Sequence, residues 1–233
     1  MTHRIFFCYT FLFLTLIFLP LSISAQTLEE EDNEEAETYS RINPHHSISL
    51  EVGLPVAIRN KNFNGYMQGI VNISPYYHYS FKNRLTTGLG VNYNYFWINH
   101  VLTNDTKNLG GIQSLGAFVR VGYEKFHTDR YGIDLNVKIG QSILIFDSEN
   151  NRKLSKLPTM NVLVVEPSIG FVITADNQSS YRWVVSYTAQ KYNFDPTLLG
   201  FVKDVSNANS IPATSFTQFL TVGFGYTYYI KQR

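Results

Sequence analysis

From His46 onward, the sequence alternates large apolar side chains with small or polar ones over long stretches. This period of two is typical of β-strands whose two faces have different surroundings, and no stretch of similar length has the period of an amphipathic helix. The first segment places on one face Ile48, Leu50, Val52, Leu54, Val56 and Ile58. The second places Met67, Val71 and Ile73 with the apolar set and Gln68 and Asn72 opposite. Eight such segments, each roughly 12–16 residues long, predict an all-β antiparallel chain.

The composition of the alternate face indicates which side of the sheet points inward. A soluble barrel packs its large residues inside, whereas a membrane barrel turns them toward lipid. Here the alternate face consists of Gly, Ser, Thr, Asn and charged residues, which suit a polar interior better than a hydrophobic core. Charged residues are also only 16% of the chain, against roughly 25% in ordinary soluble domains. We therefore expect an up-and-down transmembrane β-barrel of about eight strands with a polar lumen.

The predicted connections alternate in length. Short ones fall near residues 82–84, 127–130 and 175–180, and longer ones near 59–65, 100–110, 147–158 and 194–213. Short periplasmic turns and long external loops are usual in outer-membrane barrels, so an even strand number places both termini in the periplasm. Aromatic residues of the apolar face gather near both ends, as in two interfacial girdles. The short-turn group is Tyr77, Tyr79, Phe81, Tyr123, Tyr131, Tyr181, Trp183, Tyr226 and Tyr228, and the long-loop group is Tyr93, Tyr95, Trp97 and Tyr187.

The N-terminal part differs from the rest. Residues 1–25 combine Arg4, an apolar run and small residues ending at Ala25, which predicts a cleaved signal peptide, with a retained membrane anchor as the alternative. Residues 26–44 contain seven acidic residues against Arg41 alone, which predicts a disordered periplasmic segment, either a solvated spacer or a docking tail. The barrel is expected over residues 45–233. The only cysteine, Cys8, lies in the predicted signal, so no disulfide or thiolate ligand is expected.

The segment Gly223-Phe224-Gly225-Tyr226-Thr227-Tyr228-Tyr229-Ile230 looks like the C-terminal strand that the barrel-assembly machinery reads. With the pattern over residues 45–230, the chain resembles the small outer-membrane β-barrel superfamily typified by the membrane domain of outer-membrane protein A. The resemblance implies eight strands, a location in the outer membrane of a Gram-negative cell, and contact with its lipid and lipopolysaccharide. It also implies the barrel-assembly machinery as a partner during biogenesis.

Four charged residues fall on the polar face at similar depth: Glu51, Arg120, Lys138 and Glu166. Isolated charges in a narrow interior are costly, so we expect these two acids and two bases to pair and close the lumen. On this reasoning, replacing Arg120 or Lys138 with Ala would leave unpaired carboxylates that admit water and cations.

Other candidate chemistry is sparse. His78 and Ser80 have the spacing of the base and nucleophile in membrane lipid A deacylases, but both fall on the inner face beside a short turn. Adjacent His45 and His46 would point to opposite faces of a strand, which disfavours a metal site. Neither a cofactor nor a catalytic role is therefore expected.

Basic residues in the predicted external region, Arg152, Lys153, Lys156 and Lys191, could contact lipopolysaccharide phosphates. Nucleic acid is not an expected partner in this compartment. The sequence favours a structural or interaction barrel that acts through its extracellular loops, where a protein partner could bind, and without an open pore. The alternatives are a narrow channel for small solutes and a lipid A-modifying enzyme.

Overall fold

A computed structural model describes residues 46–58, 60–100, 108–128, 130–155, 157–176, 178–201 and 216–230. Its eight strands are β1 (His46–Ala57), β2 (Met67–Ser80), β3 (Leu85–Ile98), β4 (Gly110–Phe126), β5 (Tyr131–Ser148), β6 (Thr159–Asp176), β7 (Ser179–Gln190) and β8 (Thr217–Ile230). Helices α1 (Lys61–Tyr66) and α2 (Glu149–Lys153) and a 3₁₀ helix, η1 (Pro196–Leu199), lie in the longer connections. Neither α-helix in these ranges is long and apolar enough to cross a membrane.

The strands form one closed antiparallel barrel in the order β1 to β8, each pairing with its neighbours in sequence. The barrel closes where β1 pairs with β8, from His46 opposite Ile230 to Ala57 opposite Phe219. This confirms the predicted fold class. Three strands, β4, β5 and β6, have 17 or 18 residues and exceed the predicted length. At about 3.3 Å per residue and a tilt near 40°, the longest strands extend about 45 Å along the barrel axis. This is well beyond the thickness of a hydrocarbon core, which is about 30 Å.

The apolar face of each strand points outward, as predicted. Leu89, Val121 and Trp183 are 58–64% exposed, although residues of this kind are normally buried in a water-soluble protein. The predicted girdle residues form ring pairs on this surface, including Tyr131 with Phe171 at 5.9 Å and Tyr95 with Trp97 at 6.0 Å between centroids. The outer surface of the barrel is therefore a continuous apolar belt edged by aromatic rings.

One assignment at the start of β2 was wrong. Met67 was expected outside and Gln68 inside, but Met67 is 2% exposed and Gln68 is exposed. The pairing of β2 with β3 shifts register between Gly69 and Val71, so one residue is inserted and the faces exchange. The approach of β1 there is close, because a Cβ on Gly69 would lie 1.8 Å from the carbonyl oxygen of Pro55.

The lumen has two layers, of which only one was predicted. At the short-turn end and mid-height it is polar, as expected. At the long-loop end the strands turn apolar side chains inward as well, and the connections add more. This apolar layer consists of Phe63, Met67, Phe96, Ile98, Ile112, Leu144, Phe146, Val162, Val164, Tyr192, Phe194, Leu199 and Phe219. The upper lumen is therefore packed like the core of a soluble protein.

The connections alternate in length as predicted. The β2–β3 turn is closed by a hydrogen bond from the Arg84 amide to the Phe81 carbonyl at 3.0 Å. Arg84 has a φ of 68°, the left-handed conformation that Gly or Asn adopts at lower cost. The predicted signal peptide and acidic segment, and His45 of the histidine pair, lie outside the described residues.

Candidate functional site in the sealed lumen and at the long-loop end

Seven charged residues are buried together in the lumen, between its short-turn end and mid-height. Each is 8% exposed or less, and the set, called here the charge layer, is Glu51, Glu124, Asp134, Glu166, Arg120, Lys138 and Arg182. Every one is supplied by an inward position of a strand, since its sequence neighbours face outward. Buried charges of this kind are stable only when they are paired and hydrogen-bonded.

Lys138 holds together one half of the charge layer. Its Nζ lies 2.7 Å from Glu51 Oε2 and 3.0 Å from Glu166 Oε1, so a single ammonium bridges two carboxylates. Glu166 also accepts a hydrogen bond of 2.8 Å from the Thr188 hydroxyl. Three strands that are not all neighbours, β1, β5 and β6, are thereby joined across the interior.

Asp134 holds together the other half. Arg120 Nη2 lies 2.6 Å from both of its carboxylate oxygens, and Arg182 Nη1 lies 2.9 Å from Oδ2. Arg182 extends the network to Thr227 at 2.7 Å, and its Nη2 lies 3.7 Å from Glu124 Oε1. Two guanidinium groups, one from β4 and one from β7, therefore share one carboxylate of β5.

Tyr76 connects the two halves. Its hydroxyl donates to Glu51 Oε1 at 2.7 Å and accepts from Arg182 Nη1 at 2.8 Å. Arg120 and Lys138 also lie over its ring, at 5.3 and 5.7 Å from the centroid, within the range of cation–π attraction. The charge layer is therefore one connected network, centred on a buried phenol.

The four charges selected from the sequence are all placed in this layer, but they do not pair as one quartet. Lys138 joins Glu51 and Glu166, whereas Arg120 pairs with Asp134. Glu124, Asp134 and Arg182 were missed from the set, although their inward positions were visible because each lies between two outward residues. The pairing itself depends on strand stagger, which the sequence does not display.

Little empty space remains beside the charge layer. A cavity of about 10 Å³ lies between Lys138, Glu166, Asn92 and Ser142, with Phe118 and Val164 among its lining residues. That volume holds about one water molecule, which would have several polar partners. The described part of the lumen is therefore filled with side chains rather than open.

His78 and Ser80 are both buried in the lumen. His78 is 0% exposed and Ser80 4%, and neither ring nitrogen of His78 has a hydrogen-bond partner among the described residues. A base and its nucleophile need a hydrogen bond and access to substrate. In the same described ranges, no group of three or more His, Cys, Asp or Glu is arranged to hold a metal ion.

The long connections are tied to one another at the opposite end of the barrel. Asn151 of α2 donates to the carbonyls of Phe146 at 3.0 Å and Leu198 at 2.7 Å. The Leu199 carbonyl of η1 accepts from Asn108 at 3.0 Å and from Ser148 at 2.8 Å. Three connections, β3–β4, β5–β6 and β7–β8, thus form a hydrogen-bonded surface, called here the loop platform.

The basic residues predicted to contact lipopolysaccharide have different surroundings. Arg152 binds Asp147 through two hydrogen bonds of 2.6 and 2.5 Å, which raise the pKa of its guanidinium. Lys153 lies 3.0 Å from Glu149, Lys191 is exposed just after β7, and Lys156 lies outside the described residues. Both described cations of α2 are therefore already paired within the loop platform.

The sequence matches no protein-family model and no curated protein. Among solved structures, Neisserial surface protein A (NspA) matches with a TM-score of 0.52 and 9% identity, over 80% of this chain and 97% of that chain. The outer membrane protein OprG of Pseudomonas aeruginosa matches at 0.44 with 10% identity, over 82% and 99% of the two chains. The attachment invasion locus protein Ail of Yersinia pestis matches at 0.42 with 9% identity, over 79% and 99%.

The likeness to NspA bears on the fold. It agrees with two features of the described residues, the closed barrel of eight antiparallel strands and the exposed apolar belt. This chain has the fold of the small outer-membrane β-barrel proteins.

Proposed function

We propose that the protein is a closed barrel of the outer membrane that acts as an interaction protein through its loop platform. It conducts no solutes and catalyses no reaction, and both termini lie in the periplasm. The observation that carries the proposal is the lumen filled with buried side chains, where the space beside the charge layer is about 10 Å³. The interior of an eight-stranded barrel is just wide enough for side chains to fill, and a filled interior has no continuous pore.

The lumen is blocked by two different barriers in series. The charge layer closes the lumen by ion pairs between the short-turn end and mid-height. The apolar layer closes the long-loop end by packing of rings such as Phe96 and Phe219, whose centroids are 5.1 Å apart. An ion would have to break the first barrier and lose its hydration at the second. The sequence alone predicted one barrier, so loss of Arg120 or Lys138 is no longer expected to open the barrel by itself.

The loop platform supports an interaction role. Its connections are held by side-chain hydrogen bonds to carbonyls on a neighbouring connection, so the surface they present is pre-organised for binding. The longest strands also exceed the thickness of the hydrocarbon core and carry the platform away from the membrane surface.

Planar-bilayer recording tests the closed lumen. The wild-type protein and the variant Lys138→Ala should show no steady conductance. A triple variant with Lys138→Ala, Phe96→Ala and Phe219→Ala should show stepped currents, because both barriers are then weakened together. Steady conductance in the wild type that is unchanged in the triple variant would refute the closed lumen and favour a channel instead.

Accessibility to an impermeant thiol reagent on intact cells tests the orientation. A cysteine at Ser155, beside α2, should react, whereas one at Asn83 in the β2–β3 turn should react only after the outer membrane is permeabilised. Equal labelling of both on intact cells would refute the orientation. A mass spectrum of lipid A that changes when the protein is expressed would refute the absence of enzymatic activity.

A further inference from the structure

The outward face of the barrel is almost free of charge. Leaving aside the last residue of each strand, Lys125 and Asp147 are the only charged residues at outward positions of the eight described strands. Asp147 lies at the long-loop end and is paired with Arg152. Lys125 lies at the short-turn end of β4, two residues beyond the outward Tyr123 and opposite Ile133 of β5. Lys125 therefore places an ammonium group at the short-turn edge of the apolar belt.

Three more cations surround Lys125 on the same side of the barrel. Lys82 and Arg84 lie in the β2–β3 turn, and Arg130 directly precedes β5. The turns are neighbours, because Leu85 pairs with Tyr123 and the Glu124 amide donates to the Arg84 carbonyl at 2.9 Å. Together the four residues form a basic patch below strands β2 to β5.

Among the described residues, the basic patch has no acidic partner. In the part of the chain that the structure describes, no carboxylate forms an ion pair with Lys82, Arg84, Lys125 or Arg130. Glu124 points into the lumen toward Arg182. Counting Asp129 of the same turn from the sequence leaves a surplus of three positive charges. The β6–β7 turn differs in charge, because it begins at an acidic residue, Asp176, whose carboxylate accepts a hydrogen bond from the Gln178 amide at 2.7 Å.

The aromatic girdle fixes the depth of the basic patch. Tyr123 and Tyr131 face outward within two residues of Lys125 and Arg130, and Phe81 directly precedes Lys82. Amphipathic rings favour the boundary between hydrocarbon and headgroups, and long basic side chains beside them extend into the headgroup layer. The four cations therefore lie at the depth of lipid phosphates.

We propose that the basic patch binds the phosphate groups of anionic phospholipids in the leaflet at the short-turn end. The proposal rests on the membrane placement in the proposed function, but it does not depend on whether the lumen conducts. Guanidinium and ammonium groups are good donors to phosphate oxygens, and their one-sided arrangement would orient such lipids beside β2 to β5.

Lipid association measured with spin-labelled lipids tests this. The full mature protein is reconstituted in phosphatidylcholine, and the fraction of motionally restricted probe is compared for spin-labelled phosphatidylglycerol and phosphatidylcholine. The wild type should prefer phosphatidylglycerol by about fivefold or more, since each juxtamembrane cation attracts anionic lipid appreciably. The preference should be lost in 1 M salt and in the variant Lys82→Gln, Arg84→Gln, Lys125→Gln, Arg130→Gln.

Three controls make the result specific. The variant Arg152→Gln, Lys153→Gln removes two cations from the other end and should keep the preference, and Lys125→Arg should keep it as well. Inorganic phosphate at millimolar concentration should not displace spin-labelled phosphatidylglycerol, because the basic patch binds phosphate groups of lipids held in the bilayer. Full displacement would identify a site for free phosphate instead. If the quadruple variant fails to fold, the single variant Lys125→Gln replaces it and should lower the preference for phosphatidylglycerol.

The failures are distinguishable. Equal association of the two probes with the wild type, or equal loss in the control at the other end, would overturn the basic patch as a lipid site. Absence of motionally restricted probe of either kind would instead mean that the barrel is not in the bilayer, which refutes the proposed function and not the site alone.

Discussion

Replacing Lys138 with Met tests whether the charge layer stabilises the barrel. Met has a similar length and no charge, so the substitution removes the ammonium and leaves most of the volume filled. Glu51 and Glu166, at 2.7 and 3.0 Å from Lys138 Nζ, then lose the cation between them while each stays at least 94% buried. Glu51 keeps Tyr76 and Glu166 keeps Thr188 as hydrogen-bond donors.

Removal of one member of a buried ion pair costs about 3–5 kcal/mol, because the other charge is left without compensation. Two carboxylates are affected here, but both keep one donor, so we expect a loss of about 3–5 kcal/mol in the free energy of unfolding. Adding Glu166→Gln to Lys138→Met should restore at least about 1 kcal/mol, because it removes one of the stranded charges.

Equilibrium unfolding by urea in liposomes measures these differences. Both tryptophans, Trp97 and Trp183, face outward, so their fluorescence reports the loss of contact with lipid. Ser142→Ala is the matched control, since Ser142 is on the same strand, on the same face and equally buried. A change below about 1 kcal/mol for Lys138→Met, or no recovery in the double variant, would show that the ion pairs contribute little.

Two further predictions concern the outer face and the β1–β2 contact. Val137→Arg should lower the free energy of unfolding in lipid by about 2–4 kcal/mol, because Val137 faces outward in mid-strand. Val137→Ala is the control and should lower it less. The reverse ranking in liposome unfolding would contradict the assignment of the outward face. Gly69→Ala should prevent or strongly impair folding, because its Cβ would lie 1.8 Å from the Pro55 carbonyl oxygen. In the control Gly65→Ala the added Cβ meets nothing within 4 Å, so the substitution should be neutral or stabilising by up to about 1 kcal/mol. Heat-modifiable migration on gels reports both folding outcomes, and equal behaviour of the two glycine variants would refute the close approach.

The period of two in the sequence was sufficient for the class of fold, the strand number and the outward face. A strand exposes alternate residues to opposite surroundings, so a segment such as Ile133 to Ile139 records in its side chains which face meets lipid. Loop lengths were equally readable, since short and long connections alternate along the chain. The buried positions of Glu51, Arg120, Lys138 and Glu166 follow from the same alternation.

Three features depended on the tertiary structure. The register shift at Gly69 exchanges the faces of Met67 and Gln68, and a one-residue insertion leaves no mark in a hydrophobic pattern. The apolar layer was hidden because inward residues such as Phe96 and Phe146 lie within runs that are apolar on both faces, where the period of two is lost. The partners in the charge layer were decided by strand stagger around a closed barrel, which brings Lys138 to Glu51 across 87 residues of sequence. A sequence records the environment of each residue, but the pairing of distant residues is settled only when the barrel closes.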